Sequence, residues 1–221
     1  AAQRAERGEI GRLAVGFLAA TAYTLLPLIL RDFARAFPGV KLELRELLLP
    51  QQLEALLRGD IGVGLLRPPV VEAELASETI VTEPFVVALP ARHPLCALGR
   101  VPPARLAGEP FVMVPRQPGL VFHDIVMEFC LRAGFRPRVA QEANQTHTVV
   151  GLVSAGIGVA LVPASTRRIR LPGVAYRALR GAAPRSRTAV AWRRSDSSPV
   201  MTAFLDVARR VAKQVNSAPH T

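Results

Sequence analysis

EIGRLAVGFLAATAYTLLPLILRDFARAFPGVKLELRELLLP, residues 9–50, carries the pattern that decides the fold. Leu13, Val15 and Phe17 alternate with smaller residues, which predicts a strand. The apolar residues that follow recur at helical spacing, at Leu26, Ile29, Leu30, Phe33 and Phe37. Pro38-Gly39 ends this helix, and apolar residues then alternate with charged ones over residues 40–45, which predicts a second strand.

A strand, a helix and a strand at this spacing predict a right-handed βαβ unit in a mostly parallel sheet. Such sheets bind ligands at the carboxyl ends of their strands, where helix N-termini offer free N–H groups. The small residues Ala19-Ala20-Thr21 follow the first strand, so they form a candidate site. An ordinary core unit without any ligand fits the same pattern.

The strand–helix alternation occurs twice, once before about residue 83 and once after it, and the last strand and helix have no partner in the second set. This predicts two α/β lobes with two crossovers, with residues 10–82 and 186–221 forming one lobe and 83–185 the other. A cleft between the lobes would be lined by loops at the carboxyl ends of strands.

Residues 70–82 are acidic and are predicted to be irregular. Thr146 is predicted to cap a helix.

The net charge of +11 is carried unevenly along the chain. Residues 1–99 hold 10 basic and 11 acidic residues, whereas residues 100–221 hold 18 basic and 6 acidic ones. The basic residues are mostly Arg and are scattered, with no dense run and no interleaved aromatic residues. This distribution favours a solvated surface and a cleft that accepts anions over a nucleic-acid face.

The chain has no apolar run of the roughly 18 residues that a membrane span needs. Its N-terminus is charged and lacks the apolar centre of a signal peptide. Its two cysteines, Cys96 and Cys130, have no metal-ligand spacing, and Cys130 is predicted to be a core residue. We therefore expect a soluble, reduced, cytoplasmic protein.

No catalytic constellation is present in the sequence. None of the four histidines forms a metal pair at helical spacing, and there is no nucleophile elbow, P-loop or dinucleotide-binding fingerprint. Gly156-Ile157-Gly158 sits at a helix-to-strand turn, where glycine serves as a C-cap. We expect no catalytic residue, no metal, no cofactor and no enzymatic activity.

Five stretches, in this order, resemble the effector-binding domain of LysR-type transcriptional regulators. They read GRLAVGF…LLPLILRDFARAFPGVKLELRE, QQLEALLRGDIGVGLLRPP, EPFVVALPARHPL, LVSAGIGVALVPAS and the closing strand and helix. The resemblance covers nearly all of residues 9–215. It implies an α/β, two-lobed type 2 periplasmic-binding-protein-like fold with two crossover segments, in agreement with the topology read from periodicity.

The family also carries an N-terminal winged helix-turn-helix and a long linker helix. Neither is in this sequence, and residues 1–9 resemble the end of the linker. The resemblance therefore implies promoter DNA binding through that missing N-terminal domain. It also implies a homodimer or homotetramer that pairs through the helix over residues 22–37 and the strand after it. Leu25 and Leu28 lie outside the core stripe of that helix and would meet the second copy.

The resemblance implies several effector-binding residues in the first lobe. The position that usually offers a Ser or Thr to an effector carboxylate is Ala20, with Thr21 beside it, so the hydroxyl has moved by one residue or the contact is lost. Leu49 lies in a triple leucine that favours an apolar or aromatic effector body. Arg67 matches an Arg after the third strand, and it holds either the effector's negative charge or a structural interlobe salt bridge.

In the second lobe, Gln117, Gly119 and Phe122 match the loop that closes over ligands. Phe122 could stack on a ring or pack under the helix. Thr146 lies at a helix N-terminus that points at the cleft, and its alternative role is plain N-capping.

The function implied is a sensor in which a small metabolite, a carboxylate and possibly an aromatic-derived one, shifts the lobes and controls transcription. A solute-binding protein of a transporter shares the fold, but the absence of a signal peptide argues against it. An enzyme on the same fold, such as a dehydratase or deaminase-like protein, would need a general acid or base on a strand-end loop, and none is found.

Overall fold

The computed structural model describes residues 10–116 and 121–217, and the chain divides into two compact units. Within the described residues, unit 1 comprises 10–82 and 187–217, and unit 2 comprises 83–116 and 121–186. The chain therefore passes from one unit to the other twice.

The strands of the described residues are, in chain order, β1 (Ile10–Phe17), β2 (Gly39–Glu46), β3 (Val63–Leu66), β4 (Leu75–Pro90), β5 (Arg100–Val101), β6 (Pro110–Met113), β7 (Arg138–Glu142), β8 (Ala160–Pro163), β9 (Val174–Leu179) and β10 (Arg185–Arg193).

The α-helices are α1 (Ala19–Ala22), α2 (Leu26–Ala36), α3 (Leu49–Arg58), α4 (Phe122–Arg132), α5 (Thr146–Ser154) and α6 (Pro199–Ser217), and short 3₁₀ helices span Pro94–Ala97, Pro103–Leu106 and Ala164–Ile169.

Unit 1 is built on the predicted βαβ unit. Strand β1 pairs in parallel with β2 on one side and β3 on the other, and β10 is antiparallel to β3. Because successive residues of a strand face opposite sides of a sheet, the core divides in two. Helices α2 and α6 cover one side, where the rings of Phe33 and Phe204 lie 5.4 Å apart. Helix α3 covers the other side, with Leu56 and Ile61 fully buried.

Unit 2 has a central β4 that is antiparallel to both β8 and β9, and β5 extends the sheet beside β9. Strand β6 pairs in parallel with β7. It also bonds to Val159, the residue before β8: Val112 N donates to Val159 O at 2.8 Å, and Val159 N donates to Pro110 O at 2.7 Å. Cys130 of α4 is 0% exposed in the core of this unit, as the sequence predicted.

The prediction that residues 70–82 are irregular is wrong for residues 75–82, which form the first half of β4. Acidic residues hide the strand pattern there. One of them, Glu78, is partly exposed on the strand and accepts a hydrogen bond from Arg209 of α6 at 2.9 Å.

The prediction that Leu25 lies outside the core is also wrong. Leu25 is the N-cap of the helix, has helical backbone angles and accepts a hydrogen bond from Ile29 N at 3.1 Å. It therefore lies one turn before Ile29 on the core face, where it is 4% exposed and packs in the core of unit 1. Leu28 is partly buried against the same core.

None of the helices in the described part of the chain is long and apolar enough to cross a membrane.

Candidate functional site

The carboxyl ends of three parallel strands in unit 1 are held together by backbone hydrogen bonds. Leu47 N, just after β2, donates to Phe17 O at the end of β1 at 3.0 Å. Leu18 N, just after β1, donates to Leu65 O in β3 at 3.2 Å. The segments that follow these strands contain the residues predicted to bind the effector.

Ala20 and Thr21 lie in the four-residue helix α1, directly after β1. Ala20 is half-buried, whereas Thr21 is 3% exposed and its Oγ1 donates to Leu18 O at 2.7 Å. The proton of the Thr21 hydroxyl is therefore used inside the chain, and the hydroxyl can offer a ligand only its lone pairs.

Leu49, which was predicted to line the site, is a core residue of unit 1. It is the first residue of α3, is 5% exposed, and packs with Leu56, Ile61 and Leu66. The neighbouring Leu48 is 48% exposed. Of these two leucines it is Leu48 that could meet a ligand, because the helix turns Leu49 inward.

Arg67 follows β3 and is half-buried. Its guanidinium donates from Nη1 to Arg187 O at 3.3 Å, within the same unit. This hydrogen bond places the side chain beside the end of the third strand. That its charge binds the effector stays a prediction.

Unit 2 contains an apolar pocket at the carboxyl ends of β6 and β8. It is lined by residues from the ends of both strands and from the N-terminal halves of α4 and α5. These are Val112, Met113, Val114, Phe122, Val126, Thr146, Val149, Leu161, Val162 and Pro163. Phe122 and Thr146, both predicted site residues, are thus brought together.

Phe122 is the first residue of α4 and both packs and lines the pocket. Its ring meets the buried Phe85 edge to face, with centroids 5.2 Å apart and an interplanar angle of 71°. An aromatic ring fixed in this way presents a preformed apolar wall.

The prediction that Thr146 is an N-cap is wrong. Gln145 is the N-cap residue of α5, and its side chain makes no capping hydrogen bond. Thr146 is the first helical residue, is half-buried and lines the pocket. Val121, the N-cap of α4, has no side chain that could cap. Two helices therefore begin at the pocket without a side-chain cap.

The other predicted residues of the closing loop, Gln117 and Gly119, lie outside the described residues.

Two residues that sequence reasoning missed are buried polar side chains, Gln52 in unit 1 and Glu83 in unit 2. Gln52 lies at i+3 from Leu49 and i−4 from Leu56, so helical spacing predicts that it faces the core. Glutamine is usually exposed, so the residue type, and not the spacing, hides the burial of Gln52 in the sequence.

The family model for the LysR substrate binding domain matches residues 6–213 of the chain. The chain belongs to this family.

It is 37% identical over 206 residues to the HTH-type transcriptional regulator AlsR of Bacillus subtilis, covering 93% of this chain and 68% of AlsR. It is 36% identical over 221 residues to the HTH-type transcriptional regulator IlvR of Caulobacter vibrioides, covering 99% of this chain and 72% of IlvR. Both relatives are named as regulators of transcription, in agreement with the prediction that the chain is not an enzyme.

The effector-binding domain of BenM, solved with its effector benzoate, superposes with a TM-score of 0.83 at 27% identity. The match covers 94% of this chain and 95% of that one. It confirms the predicted fold class, the two-lobed periplasmic-binding-protein-like fold. The chain is an effector-binding domain of a LysR-type transcriptional regulator.

Proposed function

We propose that this domain senses a small carboxylate with an apolar, ring-sized body, and that unit 2 binds it in the pocket lined by Phe122 and Thr146. The observation that carries the proposal is that two helices, α4 and α5, begin at an otherwise apolar pocket. The benzoate named as the effector of BenM has this chemistry.

The physical reason lies in the two ends of such a ligand. The first N–H groups of a helix have no partner within the helix and carry a partial positive charge, so they suit a carboxylate. The valines, Leu161 and Phe122 of the pocket suit an apolar body, because burying each Å² of apolar surface contributes about 25 cal/mol. A densely polar ligand would lose its hydration against this lining without replacement.

Unit 1 keeps its own predicted effector contacts in this proposal, in the segments that follow its strands. Ala20 and Thr21 would offer backbone groups and lone pairs, and Arg67 would attract an anionic group. Leu48 takes the apolar role that was predicted for Leu49, since it is the exposed one. Units 1 and 2 are then the two regulatory lobes, and Gln117 remains a predicted contact in the second.

The partners proposed for the whole regulator follow from the family. A DNA-binding domain outside this sequence would bind promoter DNA, and two or four copies would assemble as a homodimer or homotetramer. A protein with this role would act in the cytoplasm, where bacterial DNA is found. Effector binding can shift such an assembly only by the difference in affinity between its two states.

A calorimetric titration with four probes tests the ligand class. Benzoate carries both the ring and the charge, benzamide removes the charge, cyclohexanecarboxylate removes the aromaticity, and succinate removes the apolar body. We expect benzoate and cyclohexanecarboxylate to bind at least tenfold more tightly than benzamide and succinate. Equal binding of all four, or tightest binding of succinate, would contradict the proposal.

Thr146→Val tests the one hydroxyl among the described residues that line the pocket, while keeping the shape of the side chain. Loss of a hydrogen bond to a charged group costs about 1.5–3 kcal/mol, which corresponds to roughly 10- to 100-fold in affinity. Thr148→Val is the matched control, because Thr148 lies in the same helix but is exposed and outside the pocket. Equal affinities of the two variants would exclude a contact with the Thr146 hydroxyl.

A further inference from the structure

Gln52 is a fully buried amide in the first half of α3, with 0% of its surface exposed. Its Nε2 donates to Leu47 O at 3.1 Å and to Leu65 O at 3.3 Å. Leu47 follows β2 and Leu65 belongs to β3, so one side chain joins two strand ends across the face of the sheet.

The same network reaches the first strand. Leu65 O also accepts from Leu18 N at 3.2 Å, and Leu47 N donates to Phe17 O at 3.0 Å. The amide of Gln52 therefore donates to the same carbonyl, Leu65 O, that accepts a hydrogen bond from the segment after β1. A shift of this amide would be passed to the residues that directly precede Ala20 and Thr21.

Two glycines make room for the amide on the sheet. A Cβ atom at Gly64 of β3 would lie 2.8 Å from Gln52 Oε1 and 3.3 Å from Leu56 Cδ1. One at Gly16 of β1 would lie 2.6 Å from Ile61 Cδ1 and 3.2 Å from Gln52 Oε1. Alanine at Gly64 would therefore press first on the amide, whereas alanine at Gly16 would press first on Ile61 and only then on the amide. The sequence thus keeps small residues on two neighbouring strands beneath one glutamine.

The amide is not the side chain that stability alone would favour at this position. Its Oε1 is buried and has no hydrogen-bond partner among the described residues. A buried acceptor without a partner lowers stability, whereas an apolar side chain of the same size would carry no such cost. What glutamine provides here, and methionine could not, is the pair of hydrogen bonds that Nε2 donates to two backbone carbonyls.

We propose that Gln52 is a positioning residue of the effector site in unit 1. Its amide sets the backbone of the segments after β1 and β2, so that their N–H and C=O groups stand where an effector meets them. The proposal rests on the proposed function, in which those segments contact the effector. Gln52 itself, being fully buried, touches no ligand.

Hydrogen exchange in the full 221-residue chain tests the positioning without any ligand. Gln52→Met keeps the length of the side chain and removes the amide. We expect exchange at the Leu18 and Leu47 amides to accelerate at least tenfold more than at Phe37, whose N–H donates to Phe33 O at 2.8 Å in the same unit. A merely structural glutamine would change all three amides by one common factor, which would overturn the proposal.

Leu56→Ala is the matched control for lost stability. Leu56 is 0% exposed, lies one turn along the same face of α3, and takes no part in the amide network. We expect its exchange to rise by a similar factor at Leu18, Leu47 and Phe37. If Leu56→Ala loosened Leu18 and Leu47 as selectively as Gln52→Met, the selectivity would not come from the amide and the proposal would be wrong.

Gly64→Ala gives a second variant that acts from the opposite side and leaves Gln52 in place. Its Cβ would push Oε1 away, so we expect the same selective loosening at Leu18 and Leu47 if Gln52→Met does not fold. Uniform exchange in Gly64→Ala would count against the proposal in the same way.

Titration with benzoate then connects the positioning to the site. We expect the affinity to fall at least tenfold in Gln52→Met and less than threefold in Leu56→Ala. Selective loosening with an unchanged benzoate affinity would overturn the link to the site. If the wild-type chain does not bind benzoate, that result bears on the proposed function, and the exchange pattern alone decides whether Gln52 positions these segments.

Discussion

The carboxylate of Glu83 accepts two hydrogen bonds from one residue 82 positions further along the chain. Ser165 donates its backbone N–H to Oε2 at 2.5 Å and its hydroxyl to Oε1 at 2.9 Å. Glu83 is 6% exposed, and Ser165 lies in the first turn of the 3₁₀ helix Ala164–Ile169. These two hydrogen bonds connect the segment after β8 to β4. Strands β4 and β8 are paired, and β8 lines the pocket of unit 2.

Removing this carboxylate should destabilise the domain. We expect Glu83→Ala to lower the free energy of unfolding by about 1.5–3 kcal/mol, since both bonds are charge-assisted and shielded from water. Ser165→Ala removes only the hydroxyl and should cost about 1 kcal/mol. Urea unfolding followed by circular dichroism measures both. A smaller loss in Glu83→Ala than in Ser165→Ala would mean that the backbone bond contributes nothing.

Arg67 should distinguish a charged effector from a neutral one. We expect Arg67→Ala to weaken benzoate binding by roughly ten- to a hundredfold, because a charge-assisted contact is lost, and to leave benzamide binding unchanged. Arg58→Ala is the control, because Arg58 is 68% exposed and pairs with Glu54 on the outer face of α3. Equal losses for both ligands in calorimetry would make Arg67 structural, through its bond to Arg187 O.

Leu44 is the residue with which to test the proposed pairing of copies. It lies on β2, the edge strand of unit 1, and is 45% exposed, whereas Leu25 is a core residue whose replacement by a charge would unfold the unit. We expect Leu44→Lys to give a folded species of half the mass by light scattering. The control is Leu57→Lys, at a leucine of α3 that is 43% exposed. An unchanged mass in Leu44→Lys would exclude pairing through β2.

High pH should weaken the domain through two residues of unit 2. Burial raises the pKa of the Cys130 thiol from its ordinary 9.0 to about 12, and that of the Tyr176 hydroxyl from 10.0 to about 12. As the pH rises, the unfolded chain loses these protons first. Stability is therefore unaffected below about pH 9 and falls between pH 9 and 12, by at most about 1.4 kcal/mol per pH unit for each group.

The slope of stability against pH identifies the two groups. Cys130→Ala should flatten the slope from about pH 9 upward, and Tyr176→Phe from about pH 10 upward, whatever each does to the stability at neutral pH. The measurement is urea unfolding at a series of pH values. Identical slopes in the wild type and both variants would mean that neither group keeps its proton in the folded state.

Residues with a regular period were the ones that the sequence could locate. Leu13, Val15 and the stripe from Leu26 to Phe33 predicted β1, α2 and their parallel unit, and periodicity requires no knowledge of distant partners. The first half of β4 was missed because Glu78 looks solvated in sequence, while its partner Arg209 lies 131 residues away. A contact of that kind is set by the tertiary fold and leaves no local signal.

The local structure of the predicted site residues was harder to predict than the fold, for a similar reason. The sequence brought Phe122 and Thr146 into one set, yet it mistook Thr146 for a cap, because cap and first turn differ by one residue. It could not show that Leu49 is buried and Leu48 exposed, since a run of three leucines does not show which one the helix turns inward. Gln52 was passed over because its role depends on two carbonyls and two glycines from other strands.

Filling the pocket of unit 2 and titrating with benzoate tests most directly whether this pocket binds the effector. Val114→Phe adds bulk at a half-buried residue of the lining, and Val71→Phe makes the same change at a residue that is 82% exposed in unit 1. We expect calorimetry to find benzoate binding in the wild type and in Val71→Phe, and an affinity at least tenfold lower in Val114→Phe. Equal affinity in the two variants, or no binding to the wild type, would contradict it.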